Sequence, residues 1–374
     1  MANPELDGDW IYLGETPSSS TTENIPVVPN EWPTLKIDDW IYLPAPLQIE
    51  DPNLVTFTPP PMKAHFIDVG QGDATLLEFD CGAVLIDAGG DKSEPLVAYL
   101  KEFFERREDL NNTLNAIFIT HTHVDHNRAL KDVAVTYDVT RYIHNGIYTG
   151  SGRHAATWIR DQTIIDQHSV NGSDVFRTQK GALDPMLDPV DCGFIDPKIR
   201  VLFAPFEENP GWSDSEFENG NNQSLVIRID YGEFSMLFTG DLEDVAIETL
   251  VDHYKGTDML DVDLYQVGHH GSDNGTTIPL LKAMTPDVAV ISMGEWNDGL
   301  DGYSMFSTYA YGHPRKRIVE LLQMAVTSKP SRKVRVALQP RNFENHEISE
   351  AVYGTGWDGN VIVTGWANGR LHVE

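Results

Sequence analysis

A short run of histidine and aspartate residues in this sequence could bind metal ions. The segment HTHVDH contains His121, His123, Asp125 and His126 and follows the apolar strand predicted over 116–120. In a tight turn, His121 and His123 can point the same way while the other two side chains fold towards a second point. Imidazole and carboxylate ligands together suit zinc, manganese or iron. The spacing therefore predicts a site with two metal-binding positions next to each other.

Three further strand ends carry residues of the same kinds. Asp241 follows a predicted strand in a Thr-Gly-Asp turn, where a lone aspartate also commonly caps the next helix. Asp87 closes a wholly apolar strand, and a buried carboxylate needs a partner. Another strand delivers His269 and His270 to its end. We expect one of this pair to bind metal and the other to contact substrate, and the sequence leaves open which does which.

Alternating strands and helices must position these residues. Short apolar runs predict strands over 64–69, 74–79, 83–87, 114–120, 141–144, 199–203, 224–230, 234–239 and 262–267. Helical spacing predicts helices near 96–107, 153–168, 242–254, 276–284 and 314–326. Hairpins mixed with crossover helices indicate an α/β fold with two sheets sandwiched by helices, an αβ/βα sandwich. The acidic stretches 206–222 and 294–312 are predicted to be long loops.

The first 61 residues differ from the rest and are predicted to form a separate segment before one domain over 62–374. They hold eleven of the 22 prolines, and through residue 60 they hold ten acidic residues and one basic residue. The sequence DWIYL occurs twice, at 9–13 and 39–43. The two copies either dock on the main domain as edge strands or form a duplicated motif that binds a protein partner.

Charge and cysteine content restrict the partners and the location. With 57 acidic and 27 basic residues, the net charge of −30 argues against a broad nucleic-acid-binding face. The N-terminus lacks a signal-peptide pattern, and no run approaches the about 20 apolar residues that span a bilayer. Cys81 and Cys192 cannot make a disulfide framework and fit a reducing compartment. We therefore expect a cytoplasmic protein with no membrane partner.

Several motifs together resemble the metallo-β-lactamase superfamily. HxHxDH after a strand is the signature of that superfamily, and DVGQGDA, LIDAGG, NNQSLV, FTGD, VGHHGS and YGHP occur here in the matching order. The combination over roughly 63–374 resembles the β-lactamase-like domain of ComEC-type DNA-uptake proteins and their soluble relatives, which include phosphorylcholine esterase-like hydrolases. The resemblance implies the αβ/βα sandwich, with the site at the ends of the two sheets.

The resemblance also implies roles for individual residues. His121 and His123 should hold the first metal, Asp125 and His126 the second, and Asp241 should bridge both. Asp125 and Asp241 would also accept or orient the protons of the attacking water, while His269 or His270 would stabilise charge on the substrate.

The supporting residues follow from the same resemblance. Asp87 should orient metal-binding groups from behind, whereas Asp68 and Asp73 either help it or simply cap turns. His313 should lie near the site, although it could equally be a loop histidine before Pro314.

Two positions depart from the family pattern or leave it incomplete. The superfamily usually supplies another histidine to the first metal, and His144 is the expected ligand, with His154 as the alternative. Asn127 and Arg128 stand where two glycines are usual, and Arg128 could contact an anion.

The sequence therefore predicts a hydrolase with two divalent metal ions, zinc first and manganese second. The resemblance implies a phosphodiester or phosphate-ester substrate, either a small phosphodiester or a short single-stranded nucleic acid, which includes nuclease activity. Acyl, thioester or β-lactam hydrolysis is the alternative on the same centre. A metal-stabilised regulatory module that recruits a partner through the N-terminal repeat is the non-enzymatic alternative.

Overall fold

Two β-sheets face each other across an apolar core. The computed structural model describes residues 58–177, 183–297, 300 and 306–374. The strands are β1 (Met62–Phe66), β2 (Thr75–Glu78), β3 (Ala83–Ile86), β4 (Thr113–Leu114), β5 (Ala116–Ile119), β6 (Asp138–Val139), β7 (Arg141–His144), β8 (Asp166–Ser169), β9 (Lys198–Phe203), β10 (Val226–Tyr231), β11 (Phe234–Phe238), β12 (Leu264–Gln266), β13 (Val288–Ile291), β14 (Ser328–Gln339), β15 (Asn342–Glu350), β16 (Val352–Gly354), β17 (Val361–Gly365) and β18 (Leu371–Val373).

Helices cover the outer faces of the sheets. They are α1 (Glu94–Arg106), α2 (Val124–Asn127), α3 (Leu130–Thr136), α4 (Arg153–Arg160), α5 (Gly172–Arg177), α6 (Asp214–Phe217), α7 (Asp244–His253), α8 (Ile278–Met284), α9 (Thr308–Tyr311), α10 (Lys316–Gln323) and α11 (Thr355–Asp358). Within the described residues, one sheet has the order β18-β17-β1-β2-β3-β5-β7-β8 and the other β16-β13-β12-β11-β10-β9. This is the predicted sandwich of two mixed sheets and helices.

The alternation of side chains along β3 shows how the layers are held together. All four residues of this strand are buried. Val84 and Ile86 belong to the core between the sheets, whereas Leu85 packs in the cluster that contains Leu96 of α1. Because successive side chains of a strand point to opposite faces, a continuous apolar run is what a strand covered on both sides requires.

The prediction of a helix over 153–168 is wrong for the second half of that range. α4 ends at Arg160, and β8 instead pairs in parallel with β7 at the edge of the larger sheet. Gln167 explains the end of the helix, because its side-chain amide donates to the carbonyl oxygens of Ile159, Arg160 and Gln162 at 3.0, 3.2 and 2.8 Å. The last carbonyl groups of a helix lack partners within it, so such a side chain favours termination there.

The two cysteines are bonded to each other, which the sequence analysis did not anticipate. Cys81, in the turn between β2 and β3, forms a disulfide with Cys192, 111 residues further along the chain. The expectation that cysteine usage indicates a reducing compartment therefore loses its support. Across the described part of the chain, no helix combines the length and the apolar character needed to cross a membrane.

The predicted N-terminal segment falls almost entirely before the described residues. Both DWIYL copies lie outside them. The separate segment over 1–61, and either interpretation of its repeat, stay predictions.

Candidate metal centre

The HTHVDH loop begins where β5 ends and is braced by the loop that follows β3. These two strands are parallel neighbours, so both loops leave the same edge of the sheet. The backbone N–H of Ala88 donates to the carbonyl of His126 at 2.8 Å, and that of Gly90 donates to Asp125 at 3.2 Å. A Cβ atom on Gly89 would lie only 1.5 Å from the carbonyl oxygen of Asp125. Glycine is therefore required at position 89 for the loops to come this close.

Two groups of metal-capable side chains combine residues of these loops with residues that follow β11 and β12 of the other sheet. One consists of His121, His123 and Asp241, and the other of Asp73, His126, Asp241 and His270, with the possible ligand atoms of each group within 4.8 Å of one another. Nε2 of His121 is 3.0 Å from Nδ1 of His123.

Asp241 belongs to both groups. Its Oδ1 is 3.2 Å from Nε2 of His126, and its Oδ2 is 3.8 Å from Nε2 of His121 and 3.7 Å from Nε2 of His270. Helix α7 begins only at Asp244, with Glu243 at its N-cap. The alternative that Asp241 merely caps that helix is therefore not supported.

The residues present fit metal ions. Nε2 of His126, Nε2 of His270 and Oδ1 of Asp241 are buried and lie within 4 Å of opposite charges, yet none makes a well-aligned hydrogen bond among the described residues. Buried polar atoms in native proteins are nearly always paired, so a convergent set of unpaired ones needs an explanation. Divalent cations between these atoms would provide it, and the mixture of imidazole nitrogen and carboxylate oxygen matches zinc.

Asp87 holds His126 from behind. Its Oδ2 is 2.7 Å from Nδ1 of His126, while its oxygens also accept from the backbone N–H and the hydroxyl of Thr120, both at 2.8 Å. Since Nδ1 is engaged with this carboxylate, Nε2 faces Asp241. Asp87 itself has a φ of 57°, in the left-handed region that few non-glycine residues adopt. The geometry is that of a carboxylate orienting a metal-binding histidine, the role expected from the sequence.

The two adjacent histidines after β12 have different surroundings. Nδ1 of His270 is 2.9 Å from the carbonyl oxygen of Ser292, which leaves Nε2 directed into the second group. His269 belongs to neither group among the described residues, although its Nε2 lies 3.8 Å from Oδ2 of Asp241 and its Nδ1 lies 3.6 Å from Glu243. The two histidines have φ values of 50° and 52°. Consecutive left-handed residues cost conformational energy and are typical of functional sites.

Asp73 and Asp125 exchange the positions expected from the sequence. Asp73, expected to act as support or as a turn cap, belongs to the second group, and Gln266 donates to its carboxylate. Asp125 was expected to be a ligand beside His126 but is not a member of either group among the described residues. Its Oδ2 still lies 3.5 Å from Nε2 of His270. A carboxylate oxygen of Asp73 lies within 4.8 Å of a ring nitrogen of His270, so the two carboxylates flank the same histidine.

His144 does not reach either group. Its Nδ1 accepts from the backbone N–H of Gly146 at 3.0 Å, and its Nε2 lies 3.2 Å from the hydroxyl of Tyr148. Burial lowers the pKa of His144 to about 4. Both ring nitrogens are engaged elsewhere, so its expected role as a ligand of the first metal is not supported. His154, the alternative, is exposed on α4.

The structure places Asp68 in a turn and His313 beside the second group. Oδ1 of Asp68 accepts from the backbone N–H of Gly70 at 3.2 Å, which makes it a turn cap. His313 is buried beside the second group, with its ring centroid 5.9 Å from that of His270. Gln71 lies 3.3 Å from its Nδ1.

Neighbouring charges strongly shift the pKa values of the side chains in the cluster. Burial would raise the pKa of Asp241, but His126, His269 and His270 lower it well below its usual range. Burial would lower the pKa of His126, but Asp241 and Asp87 raise it well above normal. In the same way, the pKa of His270 is raised to about 9 against the effect of burial, chiefly by Asp241 and Asp125. These histidines are therefore protonated at neutral pH in the metal-free chain.

A cavity of about 280 Å³ opens onto both groups. Besides His123, Asp125, Asp241, His269, His270 and His313, its lining includes Gln71, Val124, Ser151, Asn221, Phe306 and Tyr311. A larger cleft of about 870 Å³, lined by residues between 251 and 285, contains no histidine. No site role is predicted from the sequence for Gln71, Val124, Ser151, Asn221, Phe306 and Tyr311. Gln71, Val124, Asn221 and Tyr311 lie within the motifs DVGQGDA, HTHVDH, NNQSLV and YGHP, whereas Ser151 and Phe306 lie in no such motif.

Comparison with known proteins identifies the family. The family model described as the metallo-beta-lactamase superfamily matches residues 67–295. The chain belongs to this superfamily. Most metallo-beta-lactamase superfamily members are metal-dependent hydrolases.

Among its relatives are competence proteins, which confirms the resemblance to ComEC-type domains. ComE operon protein 3 of Bacillus subtilis (strain 168) is 25% identical over 274 residues, covering 70% of this chain and 30% of that protein. Recombination protein 2 of Haemophilus influenzae is 44% identical over 77 residues, covering 21% of this chain and 9% of that protein. The chain thus spans less than a third of either relative.

Solved metallo-beta-lactamase-fold structures also resemble it. YhfI from Bacillus subtilis is 13% identical, with 55% of this chain and 70% of that chain covered and a TM-score of 0.32. Human tRNase Z, short form, is 13% identical, with 61% of this chain and 91% of that chain covered and a TM-score of 0.33.

Replacing Asp87 with asparagine tests its orienting role. We expect zinc affinity at the second group to fall by about 10-fold to 100-fold, because a neutral amide cannot hold His126 as the charged carboxylate does. Competition titration with a chromophoric chelator measures this. Asp263→Asn is the matched control, since Asp263 accepts from the backbone N–H of Ser235 at 2.7 Å and from its hydroxyl at 3.0 Å, outside the centre. Equal zinc affinity in the two variants would contradict the assignment.

Proposed function

We propose that this protein is a hydrolase with two metal ions that cleaves phosphodiesters. The observation that carries the proposal is the Asp241 carboxylate, which is shared by two adjacent ligand groups. When bound, a pair of divalent ions supplies a nucleophile at neutral pH and stabilises charge on a phosphoryl group. Zinc is the metal we favour over manganese, because His121, His123, His126 and His270 supply imidazole nitrogen to the two groups.

Three side chains that line the cavity, those of Asp125, His269 and His313, would contribute to the reaction in different ways. Burial would raise the pKa of Asp125, but His270 and His126 lower it, so this carboxylate at the cavity wall is ionised and can accept or orient a proton. His269 lies beside Glu243 and can donate a hydrogen bond to substrate. Burial and the neighbouring His270 lower the pKa of His313 well below normal, so it stays neutral next to that charge.

A phosphodiester is the substrate class that we favour. One relative is named Recombination protein 2, and recombination acts on DNA, which is a chain of phosphodiesters. The net charge of −30 opposes the approach of long polyanions, and screening over about 8 Å at physiological salt weakens this only in part. A cavity of about 280 Å³ also favours a compact group. We therefore propose a small phosphodiester or a short single strand as substrate.

The proposal is tested with the full chain reconstituted with zinc. Bis-(p-nitrophenyl) phosphate and a short single-stranded oligonucleotide should be hydrolysed faster than long duplex DNA at physiological salt, because the duplex meets the greater electrostatic repulsion. Release of p-nitrophenol and gel analysis measure the rates. A thioester and a β-lactam are included in the panel. Activity confined to those two compounds would overturn the phosphodiesterase proposal, and efficient unaided degradation of duplex would overturn the size preference.

A further inference from the structure

A serine hydroxyl lies in the cavity wall, on the loop that joins β7 to α4. Ser151 is exposed and lines the cavity together with His123. The preceding residue, Gly150, lies close to the ring of His123, since a Cβ atom at position 150 would be 3.5 Å from Cδ2 of that ring. Ser151 therefore places a polar side chain next to the ligand group formed by His121, His123 and Asp241.

The loop 146–152, which we call the serine loop, is fixed to the HTHVDH loop by hydrogen bonds. The hydroxyl of Thr122 donates to the carbonyl of Ile147 at 2.6 Å, and the carbonyl of Thr122 accepts from the backbone N–H of Gly152 at 3.2 Å. The side-chain amide of Asn127, which is fully buried, donates to the carbonyl of Gly152 at 3.0 Å. The serine loop is thus held in place before a ligand arrives, and a group that is already ordered loses little entropy when it binds one.

The close approach of the two loops depends on glycine. Gly150 has a φ of 99°, in the region that favours glycine, and a Cβ atom there would lie 2.6 Å from the carbonyl oxygen of Thr122. A Cβ atom on Gly152 would lie 2.2 Å from Oδ1 of Asn127. Glycines on both sides of Ser151 therefore let the serine loop lie against the segment that carries the histidines.

The hydroxyl of Ser151 has a hydrogen left to donate. Its oxygen accepts from the backbone N–H of Val124 at 3.0 Å. A serine hydroxyl can accept and donate at the same time, and among the described residues nothing accepts the hydrogen of Ser151. Because the oxygen is held by the protein and the side chain lines the cavity, this hydrogen is available to a ligand there. A serine that only capped the turn at Val124 would need no access to the cavity.

We infer that Ser151 binds the substrate by donating a hydrogen bond to an oxygen of its phosphoryl group, which makes it a specificity-determining residue. This inference rests on the proposed function and deepens it. Hydrogen bonds to a charged acceptor are roughly twice as strong as those between neutral groups, and a phosphoryl group of a phosphodiester carries charged oxygens. The carbonyl oxygen of a bound thioester or β-lactam is uncharged, so it gains less from the same donor.

Binding of inorganic phosphate to the zinc-reconstituted full chain gives the direct test. We expect Ser151→Ala to weaken phosphate binding by about tenfold, because the lost hydrogen bond has a charged acceptor. Ser151→Thr keeps a hydroxyl and should retain the wild-type affinity. Ser213→Ala is the matched control: the hydroxyl of Ser213 accepts from the backbone N–H of Glu216 at 3.3 Å, but Ser213 is not among the described residues that line the cavity. Calorimetric titration measures the affinity of all four proteins.

Zinc affinity and turnover separate a substrate contact from a purely structural one. Ser151→Ala also removes the acceptor of the Val124 N–H, next to His123. If Ser151 only supported this turn, zinc binding would weaken together with phosphate binding, and that result would overturn the inference. We expect unchanged zinc affinity and, with bis-(p-nitrophenyl) phosphate, a higher KM at nearly unchanged kcat, since the hydrogen bond forms in the ground state as well as in the transition state.

The outcomes also separate this inference from the proposed function. Wild-type phosphate affinity in Ser151→Ala, or a zinc-reconstituted chain that binds no phosphate, would contradict the inference. If phosphate binding depends on Ser151 but no phosphodiester is hydrolysed, the proposed function fails while the phosphate contact of Ser151 stands. If phosphodiesters are hydrolysed and Ser151→Ala changes neither KM nor phosphate affinity, the proposed function stands and the inference fails.

Discussion

Asp241→Asn should lower kcat/KM on a phosphodiester by at least about 1000-fold, which corresponds to about 4 kcal/mol of transition-state stabilisation. The substitution removes the one negative charge that both ligand groups share. It also replaces one of the two carboxylate oxygens with an amide nitrogen, which cannot bind a cation. A terminal ligand such as His123 serves one group only, so losing Asp241 should cost more than losing His123. Initial rates with bis-(p-nitrophenyl) phosphate measure the effect.

The fold should survive this change. Asparagine has nearly the same shape, and the backbone N–H of residue 241, which donates to the hydroxyl of Ser224 at 3.1 Å, is unaffected. Asp244→Asn is the matched control, because Asp244 is exposed three residues later at the start of α7. It should retain wild-type activity. If Asp241→Asn is folded, as judged by circular dichroism, and keeps near wild-type activity, Asp241 does not bridge two metal ions.

Local patterns in the sequence predicted most of the side chains that cluster in the two groups. The HTHVDH loop and Asp87 follow buried, parallel neighbouring strands of the larger sheet, and Asp241 follows a buried strand of the other sheet. The supporting contact between Asp87 and His126 spans only 39 residues. Such strand ends can be recognised from a run of apolar residues followed by a polar one.

Contacts between distant parts of the chain could not be predicted in this way. Asp73 is fixed by Gln266, 193 residues away, and nothing near Asp73 in sequence distinguishes a ligand from a turn cap. His144 was chosen because it ends the next strand, yet Gly146 and Tyr148 occupy its ring nitrogens. The bond between Cys81 and Cys192 spans 111 residues. Position along the chain is a weak guide to neighbours when the two sheets meet face to face.

Metal binding should load two transition-metal ions per chain and release protons. In the metal-free chain Asp241 and Asp87 raise the pKa of His126 well above normal, and Asp241 and Asp125 raise that of His270 to about 9, in both cases against the effect of burial. At pH 7 both imidazoles are therefore protonated, and a metal ion can bind only at a deprotonated nitrogen. We expect about two protons to be released per chain at pH 7. Zinc affinity should rise with pH through about 9, where His270 loses its proton without metal, and should go on rising until His126 has lost its proton as well.

Elemental analysis of protein prepared without chelator counts the ions, and calorimetric zinc titration in two buffers of different ionisation enthalpy counts the protons. Removing the metal with a chelator should abolish phosphodiester hydrolysis, and adding zinc should restore it.

The Asp87→Asn variant provides an internal check on the proton count. It removes one of the two carboxylates that keep His126 protonated, so fewer protons should be released at pH 7. Less than half an equivalent of metal, not restored by added zinc or manganese, would contradict the two-metal centre. Full loading without proton release would instead show that Asp241 is not paired with protonated histidines in the metal-free chain.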